Sequence, residues 1–246
     1  MILNKKNVLT KNDIKLIKSL KHRKHRVENN LFVIEGLKII NEFINSDWEV
    51  KKIFLTNDTD LKTNLNLNYI SNSDLKRISF LKTPNKILAL VKIPKLIKNI
   101  KGKLIIALDG VQDPGNLGSI IRLADWFGVS NILCSKNCVD VYNPKVVQST
   151  MGSILRVSVN YVNLIKEIQH LSKYKLFSSV LDGRNINDID INGNSIILFG
   201  NESKGISEEL ISLSKNKISI PKLSSSKINS LNVSNACAIV LNNFIR

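Results

Sequence analysis

The sequence predicts an α/β protein of two domains, the second built on an open parallel sheet. Two observations support this fold class. Strand-like apolar runs alternate with helical periodicities along the chain, and the run at 104–109 is almost wholly apolar, as in the centre of a parallel sheet. A segment with one proline, one glycine and four lysines interrupts this alternation. We therefore divide the chain into an N-terminal domain at 1–93, a linker at 94–103 and a second domain at 104–246.

The N-terminal domain reads as a small α/β unit with a partly parallel sheet. Ile14, Ile17 and Leu20 recur every three residues, which predicts a first helix with Asn12 or Asp13 as its N-cap. The further predicted elements are strands at 31–34, 50–55, 68–71 and 86–93 and helices at 37–44 and from residue 73.

The second domain repeats the alternation from residue 104. A helix at 117–127 follows the first strand, and Pro144 suits the first turn of a helix at 143–149. The further predicted elements are strands at 131–134, 154–159, 175–180, 195–199 and 217–220 and helices at 164–171 and 233–245.

Composition indicates a folded cytosolic protein. The hydrophobic content is 43%, and no apolar run approaches the roughly 18 residues of a membrane span. The N-terminus lacks an apolar signal core. Cys134, Cys138 and Cys237 are too few for a disulfide scaffold, and the pair at 134 and 138 has no second pair to complete a zinc site. We expect free thiols and no metal.

The formal charge of +16 favours a polyanionic partner, and nucleic acid is the obvious one. A genome rich in A/T codons would also raise lysine content, so clustering is the better test. We expect the compact basic block at 21–26 to contact RNA phosphates and the lysines of the linker to be solvated. The predicted RNA-binding residues of the block are Lys21, Arg23, Lys24 and Arg26.

Three short motifs occur where strands are predicted to end and helices to begin. They are residues 113–122, 199–205 and 230–236, and each combines small residues with polar side chains. Open α/β sheets bind ligands at the carboxyl ends of their strands. The three motifs therefore predict one shared site.

In the first motif, Pro114 forces a sharp exit from the strand, and Asn116 and Arg122 can face one cleft. Arg122 has two interpretations. It binds an anionic group of a substrate, or it forms a salt bridge within the chain. The candidate salt-bridge partners are Asp109, Asp113 and Asp125.

In the second motif, Gly200 and Gly205 allow a tight loop around Glu202. Glu202 is either an exposed loop carboxylate or a partner of Arg122 or Asn116. In the third motif a helix cap accounts for Ser230 or Asn232 but not for both. Neither the G-x-G-x-x-G fingerprint nor the phosphate-binding G-x4-G-K-[ST] loop is present, which disfavours a dinucleotide-binding enzyme acting on a small molecule.

Together these motifs resemble the SpoU (TrmH-like) branch of the SPOUT methyltransferases, which methylate ribose 2′-hydroxyls of RNA with S-adenosyl-L-methionine. The resemblance covers 104–246 closely, and residues 10–93 resemble the ribosomal-protein-like RNA-binding domain that precedes it in many rRNA members. The matching positions are Asn116, Gly118, Arg122, Ala124, Phe127 and Gly128 in the first motif, Gly200, Glu202 and Gly205 in the second, and Ile220, Pro221, Ser230, Leu231, Asn232 and Ala236 in the third.

The resemblance implies a C-terminal trefoil knot, a homodimer packed through knot-side helices, and a cofactor held at the knot largely by backbone groups. The implied cofactor-binding residues are Phe199, Gly200, Ile220, Pro221 and Leu231. Because arginine keeps its proton in proteins, Arg122 is expected to clamp phosphate and to stabilise a developing alkoxide. Asn116, Ser230 and Asn232 would position ribose, and Glu202 would orient Arg122 or Asn116.

The sequence departs from the family pattern at 222–229, which lacks the usual glycine-containing stretch and has Asn229 in place of a frequent glutamate. This departure concerns the cofactor loop and not the residues expected to carry the reaction. The two-domain layout favours 23S rRNA over tRNA as substrate. A noncatalytic RNA- or ribosome-binding protein on the same scaffold is the alternative of a different class.

Overall fold

The computed structural model describes residues 9–95, 100, 102–189, 193–223 and 225–244. These residues form two compact units. The first comprises the described residues of Met1–Lys95 together with Tyr142–Leu155, and the second those of Leu96–Val141 and Arg156–Arg246. The segment Tyr142–Leu155 lay inside the predicted second domain, but the structure groups it with the first unit. Much of the predicted linker at 94–103 lies outside the described residues.

Apart from two helices that were not predicted, Arg23–Asn29 and Glu208–Leu213, the helices and strands of the described residues follow the predicted alternation. In chain order they are α1 (Lys11–Ser19), α2 (Arg23–Asn29), β1 (Leu31–Glu35), α3 (Leu37–Ile44), β2 (Val50–Leu55), β3 (Leu67–Tyr69), α4 (Asn72–Ile78), β4 (Ile87–Lys92), β5 (Leu104–Leu108), α5 (Pro114–Trp126), β6 (Asn131–Ser135), α6 (Pro144–Thr150), β7 (Ser158–Val162), α7 (Leu164–His170), β8 (Lys175–Asn185), β9 (Ser195–Phe199), α8 (Glu208–Leu213), β10 (Asn216–Ser219) and α9 (Val233–Phe244).

The start of α1 corrects one prediction. Thr10, and neither Asn12 nor Asp13, is the N-cap. The Thr10 hydroxyl accepts a hydrogen bond from the Asp13 amide at 3.0 Å, and the Asp13 carboxylate accepts one from the Thr10 amide at 3.2 Å. This reciprocal capping box satisfies two backbone donors that the helix leaves open.

Two further differences concern the second half of the chain. The strand predicted at 154–159 begins only at Ser158, because Ser153–Leu155 forms a 3-10 turn. A short buried apolar run has no periodicity that distinguishes a strand from such a turn. The helix predicted from residue 117 already begins at Pro114, because the Asp113 carboxylate caps it by accepting from the Asn116 amide at 2.8 Å.

The first unit contains a four-stranded sheet in the order β1-β4-β2-β3. β4 pairs antiparallel with β1 and β2, while β2 and β3 are parallel, which confirms the partly parallel sheet. An aromatic cluster lies beside it, in which Phe32 contacts the rings of Phe43, Trp48 and Tyr142. The contact with Tyr142 and the packing of α6 against β1 explain why the segment at 142–155 belongs to this unit.

The second unit is a six-stranded sheet in the order β10-β8-β9-β5-β6-β7, and every neighbouring pair is parallel. From β5 the chain proceeds to β6 and β7 on one side, and it later places β8, β9 and β10 on the other. The strand order therefore reverses between β5 and β9, where Leu108 and Phe199 lie opposite each other. A crevice at the carboxyl ends of two such strands is the usual ligand site of an open parallel sheet.

None of the helices formed by the described residues has the length and apolar character that a membrane span requires.

Candidate functional site

The first corner of the candidate site joins β5 to α5. Pro114 occupies the first turn of α5, where its missing amide hydrogen costs nothing. The Asp113 cap fixes the start of this helix, so that Asn116 lies in its first turn, half-buried at the crevice. The corner that the sequence predicted is thus present, although the helix starts earlier than expected.

The second corner is a closed loop after β9. The amide of Asn201 donates to the carbonyl of Gly205, and the amide of Gly205 donates back, each at 2.9 Å. A Cβ atom at Gly200 would lie 2.2 Å from the carbonyl carbon of Gly205, and Gly205 has a φ of +70°. Gly200 therefore requires glycine, the left-handed φ of Gly205 favours it, and the closed loop presents Glu202.

Three hydrogen bonds hold these two corners together. The Asn201 side-chain amide donates to the Gly110 carbonyl at 2.7 Å. The Asp109 amide donates to the Phe199 carbonyl at 2.9 Å, and the Asp109 carboxylate accepts from the Ser207 amide at 2.9 Å. Asn201 was not among the predicted site residues; its side-chain oxygen also accepts from the amides of Ser203 at 2.9 Å and Lys204 at 3.0 Å, the local bonding that makes asparagine common in tight turns.

The third corner reaches the first through Asn232. The Asn232 side-chain oxygen accepts from the amide of Ser234 at 2.9 Å and from its hydroxyl at 2.6 Å, which caps α9. The Asn232 side-chain nitrogen then donates to the Asn116 oxygen at 2.9 Å. The Asn116 nitrogen in turn donates to the Glu202 carboxylate at 2.9 Å.

The three predicted motifs are therefore linked by one directed chain of hydrogen bonds, from Asn232 to Asn116 to Glu202. Because the Asn232 side-chain oxygen caps α9, the nitrogen of the same amide is the group that donates to Asn116. The carboxylate of Glu202, at the far end of the chain of hydrogen bonds, can only accept. Asn116 is consequently held in one orientation. Of the two partners that sequence reasoning left open for Glu202, the structure selects Asn116.

Arg122 lies on α5 with its side chain exposed, while Ile120, Ile121 and Ala124 are buried. Although its neighbours on α5 are apolar, Arg122 therefore carries no cost of burying a charge. Within the described part of the chain Arg122 makes no hydrogen bond or ion pair.

The three aspartates considered as partners of Arg122 are engaged elsewhere. Asp113 caps α5, Asp109 binds the Ser207 amide, and Asp125 accepts from Arg156 at 2.8 Å. The alternative of an internal salt bridge thus finds no support among these residues. An exposed guanidinium is available to an anionic group of a substrate.

Of the residues expected to bind the cofactor, Phe199, Gly200 and Leu231 are sequence neighbours of the linked corners, and Ile220 and Pro221 lie at the end of the edge strand β10. Phe199 is buried at the end of β9, Gly200 follows it, and Ile220 and Pro221 directly follow β10. Leu231 precedes Asn232 and is 49% exposed.

The segment at 221–231 combines exposed apolar side chains with few internal hydrogen bonds. Leu223 and Ile228 are exposed, and among the described residues of this segment one backbone–backbone hydrogen bond occurs, from Ser226 to Leu223. Apolar surface beside backbone groups that lie outside helices and strands suits an aromatic ring system with polar edges, although the backbone of Ile228 already pairs with the Lys222 ammonium and the Ser226 hydroxyl. This observation fits an adenosine-containing cofactor held by backbone groups. Ser230 is exposed in the same segment.

The basic block divides into two kinds of residue. Lys21, Arg23 and Lys24 are exposed. Arg26 is only 2% exposed and donates to the carbonyls of Leu20 at 2.8 Å and Lys21 at 2.9 Å. The expectation that Arg26 contacts RNA is therefore corrected, because its guanidinium stabilises the end of α1 inside the first unit.

The cysteines are free, as expected, and all are buried. A hydrogen bond with Cys134 lowers the pKa of Cys138 to about 7, and the same interaction raises the pKa of Cys134. Ser135 lies between these two cysteines in the sequence, and its hydroxyl accepts from the Gly110 amide at 2.8 Å, which supports the first corner. Within the described residues, no cluster of three or more histidine, cysteine or acidic side chains is arranged to hold a metal.

Comparison with known proteins matches two family models to this chain. The SpoU rRNA Methylase family matches residues 103–242, and the MRM3-like substrate binding domain matches residues 11–89. A curated relative is the 23S rRNA (guanosine(2553)-2′-O)-methyltransferase RlmP of Bacillus subtilis, which is 29% identical over 231 residues, 91% of this chain and 92% of that protein.

Solved structures agree with this match. A TrmH-family protein from Porphyromonas gingivalis superimposes with a TM-score of 0.86 and 30% identity, covering 96% of this chain and 98% of that one. An AdoMet-bound rRNA methyltransferase from Sinorhizobium meliloti superimposes with a TM-score of 0.84 and 25% identity, covering 97% and 95%.

Proposed function

This chain belongs to the SpoU rRNA Methylase family, and on that premise we propose that it transfers a methyl group from S-adenosyl-L-methionine to a ribose 2′-hydroxyl of RNA. The observation that carries the proposal is the hydrogen-bonded chain from Asn232 through Asn116 to Glu202. It brings the three family motifs to one place at the carboxyl ends of the parallel strands, where such sheets bind ligands.

We propose 23S rRNA as the substrate class. RlmP, which aligns with nearly the whole of this chain, is named for methylation of a 23S rRNA guanosine, and a relative from Streptomyces viridochromogenes is named for methylation of a 23S rRNA uridine. The match of residues 11–89 to a substrate binding domain supports the same assignment. Because the proposed substrate is ribosomal RNA, we propose the cytoplasm as the compartment.

Arg122 has the central role in the proposed reaction. The cofactor supplies a methyl group on a positively charged sulfur, which is already activated for transfer. The protein must therefore orient the ribose and stabilise the oxygen as it loses its proton. We assign to Arg122 the contact with substrate phosphate and the stabilisation of the developing alkoxide, because its guanidinium is exposed and without a partner in the described part of the chain.

The linked side chains have a positioning role in this proposal. Asn116 and Asn232 are held in fixed orientations, so that their remaining donor and acceptor positions can bind ribose hydroxyls. Ser230 lies two residues before Asn232 and adds an exposed hydroxyl. Glu202 acts through Asn116 by accepting its amide hydrogen, which fixes the amide before substrate arrives.

The cofactor is proposed to lie against Phe199, Gly200, Ile220, Pro221 and Leu231. Phe199 and Gly200 lead into the closed loop that carries Glu202, and Leu231 offers an exposed apolar side chain next to Asn232, which supports this assignment. We also propose the trefoil knot of the family for this part of the chain. Its support is the path of the chain, which runs from β9 to β10 at the sheet edge and returns to Asn116 beside β5.

Two further proposals concern partners. Lys21, Arg23 and Lys24 are proposed to contact RNA phosphates from the first unit, because all three are exposed. A homodimer packed through α9 is proposed because this apolar helix keeps Ile239 41% exposed. We propose 1–93 and 104–246 as the functional domains, because the two family models match 11–89 and 103–242, although 142–155 packs with the first unit.

Ribose methylation mapped across rRNA and tRNA, with and without this protein, tests the proposed function. We expect one 2′-O-methyl group to disappear from 23S rRNA when the protein is removed and to return with the wild-type chain. Arg122→Ala should fail to restore it. Arg77→Ala is a matched control, because Arg77 is exposed on α4 and pairs with Asp74. Loss of a tRNA methyl group instead would reassign the substrate, and no loss in either RNA would refute the function.

A further inference from the structure

Trp126 has the most exposed large apolar side chain among the described residues, with 84% of its surface accessible. It is the last residue of α5, the helix that carries Asn116 and Arg122. A tryptophan forgoes a large gain from burial when it remains in water, so an exposed indole beside a candidate active site suggests a binding role.

The helix geometry places Trp126 beside Arg122. Residues four apart on a helix lie on one face, with Cβ atoms about 5 to 6 Å apart. Helical side chains also lean towards the N-terminus, so the indole leans towards the guanidinium. Both side chains are exposed, and together they form a surface with an aromatic plane and a positive charge, which we call the Arg122–Trp126 surface.

The charges around this surface favour a polyanion. Asp125 lies in the same last turn of α5, and Arg156 compensates its charge through its Nη2 at 2.8 Å and its Nε at 2.9 Å. The Arg122–Trp126 surface therefore keeps the positive charge of Arg122 without a competing carboxylate from Asp125. An aromatic ring next to an arginine is a common way to hold a single-stranded nucleic acid.

We propose that Trp126 is a stacking platform for an unpaired nucleobase of the RNA substrate. The base stacks on the indole one helical turn from the nucleotide that Arg122 contacts. This inference rests on the proposed function and adds a substrate-positioning residue to it. Stacking on an aromatic face tolerates any base, so Trp126 selects unpaired over paired RNA and does not read the sequence.

A second copy of the chain is a less suitable occupant of this surface. A second copy carries the same formal charge of +16, whereas RNA is a polyanion that the guanidinium of Arg122 attracts. The other exposed apolar residues of the second unit lie on different elements. They lie on β8, on α9 and in the segment before α9, and are Leu181, Leu223, Ile228, Leu231 and Ile239.

Tryptophan fluorescence provides a direct test, because the chain has two tryptophans. Trp48 packs against Phe32 and Phe43 in the first unit, so W48F leaves Trp126 as the reporter. We expect a single-stranded RNA oligonucleotide to quench this emission strongly and the duplex of the same sequence to quench it weakly. Should W48F fail to fold, the difference in quenching between wild type and W126F gives the same information.

Kinetics of the full chain provide the second test. We expect W126A to raise KM for the RNA substrate about tenfold with little change in kcat, and W126F to restore most of the loss. L181A is the control, because Leu181 is a 78% exposed apolar residue of β8 in the second unit and has no proposed contact with RNA or cofactor, and it should keep the wild-type KM.

Three results would overturn the inference. They are equal quenching by single-stranded and duplex RNA, an unchanged KM for W126A, and conversion of a dimer to a monomer by W126A in sedimentation, which would assign Trp126 to self-association. Absence of methyl transfer by the wild-type chain would instead refute the proposed function. The fluorescence test does not depend on turnover, so the two failures are distinguishable.

Discussion

Replacing Asn116 with alanine is the most direct test of the linked corners. The change removes the hydrogen bond that Asn116 accepts from Asn232 and the one that it donates to Glu202, both 2.9 Å long. A hydrogen bond contributes about 0.5 to 1.5 kcal/mol to stability, and exposure of Glu202 and Asn232 places both bonds at the low end. We expect the free energy of unfolding to fall by about 1 kcal/mol.

The effect of N116A on catalysis should be larger than its effect on folding. The amide aligns the three corners around the ribose, and a small displacement of a positioned group costs about 100-fold in rate. A fall of about 100-fold in kcat/KM corresponds to about 2.7 kcal/mol of lost transition-state stabilisation. Single-turnover methylation of the RNA substrate measures this loss, and urea unfolding measures stability on the same preparation.

Two comparison variants make the test of Asn116 specific. N235A removes an exposed asparagine of α9 for which no hydrogen bond is present among the described residues, and it should retain wild-type turnover. E202Q keeps an acceptor for Asn116 but removes the charge, so it should lose less activity than N116A. The effects of N116A and E202A should be non-additive, because both break the same contact. Turnover of N116A equal to that of N235A would refute the reasoning.

Four further outcomes are expected. Arg122→Lys should lower kcat/KM nearly as much as Arg122→Ala, because an ammonium group cannot replace the planar fork of a guanidinium; full activity of the lysine variant in methylation assays would contradict the role of Arg122. Gly200→Ala should lower the free energy of unfolding by about 1 to 3 kcal/mol in urea, because its Cβ atom would overlap the backbone of Gly205; an unchanged midpoint would show that the loop can open. Arg26→Ala should cost about 2 to 4 kcal/mol in the same assay through two lost bonds to backbone carbonyls, whereas the exposed control Lys24→Ala should cost less than about 0.5 kcal/mol. Burial raises the pKa of Glu35 in the folded state, so its ionisation reduces stability as the pH rises from the unfolded pKa through the raised folded pKa. Glu35→Gln should remove this loss from unfolding curves measured between about pH 4 and 7. An identical slope of unfolding free energy against pH in both proteins would disprove it.

The corners of the site were predictable from the sequence because their requirements are local. Gly200 follows an apolar strand directly, and only a residue without a side chain fits there against the backbone of Gly205. The turn at Pro114 was likewise expected, although the Asp113 cap that starts the helix earlier was not. Capping depends on the rotamer of one side chain, which a hydrophobic pattern does not report.

The basic block shows the limit of such reasoning. Lys24 and Arg26 are equivalent in a count of positive charges, but one is exposed and the other is 2% exposed. The difference arises from α2, which turns one side of the block inwards, where the Arg26 guanidinium meets two open carbonyls at the end of α1. Composition gives the charge of a segment and not the direction of its side chains.

By itself, the sequence determined the alternation of strands and helices, the residue types at the three corners and the family to which they belong, because each depends on neighbours close along the chain. Only the tertiary structure decided that Asn232 donates to Asn116 across 116 positions and Asn116 to Glu202 across 86. These contacts exist because the strand order reverses between β5 and β9 and the chain returns from β10. Strand order is set by packing over long distances, and local periodicity does not encode it.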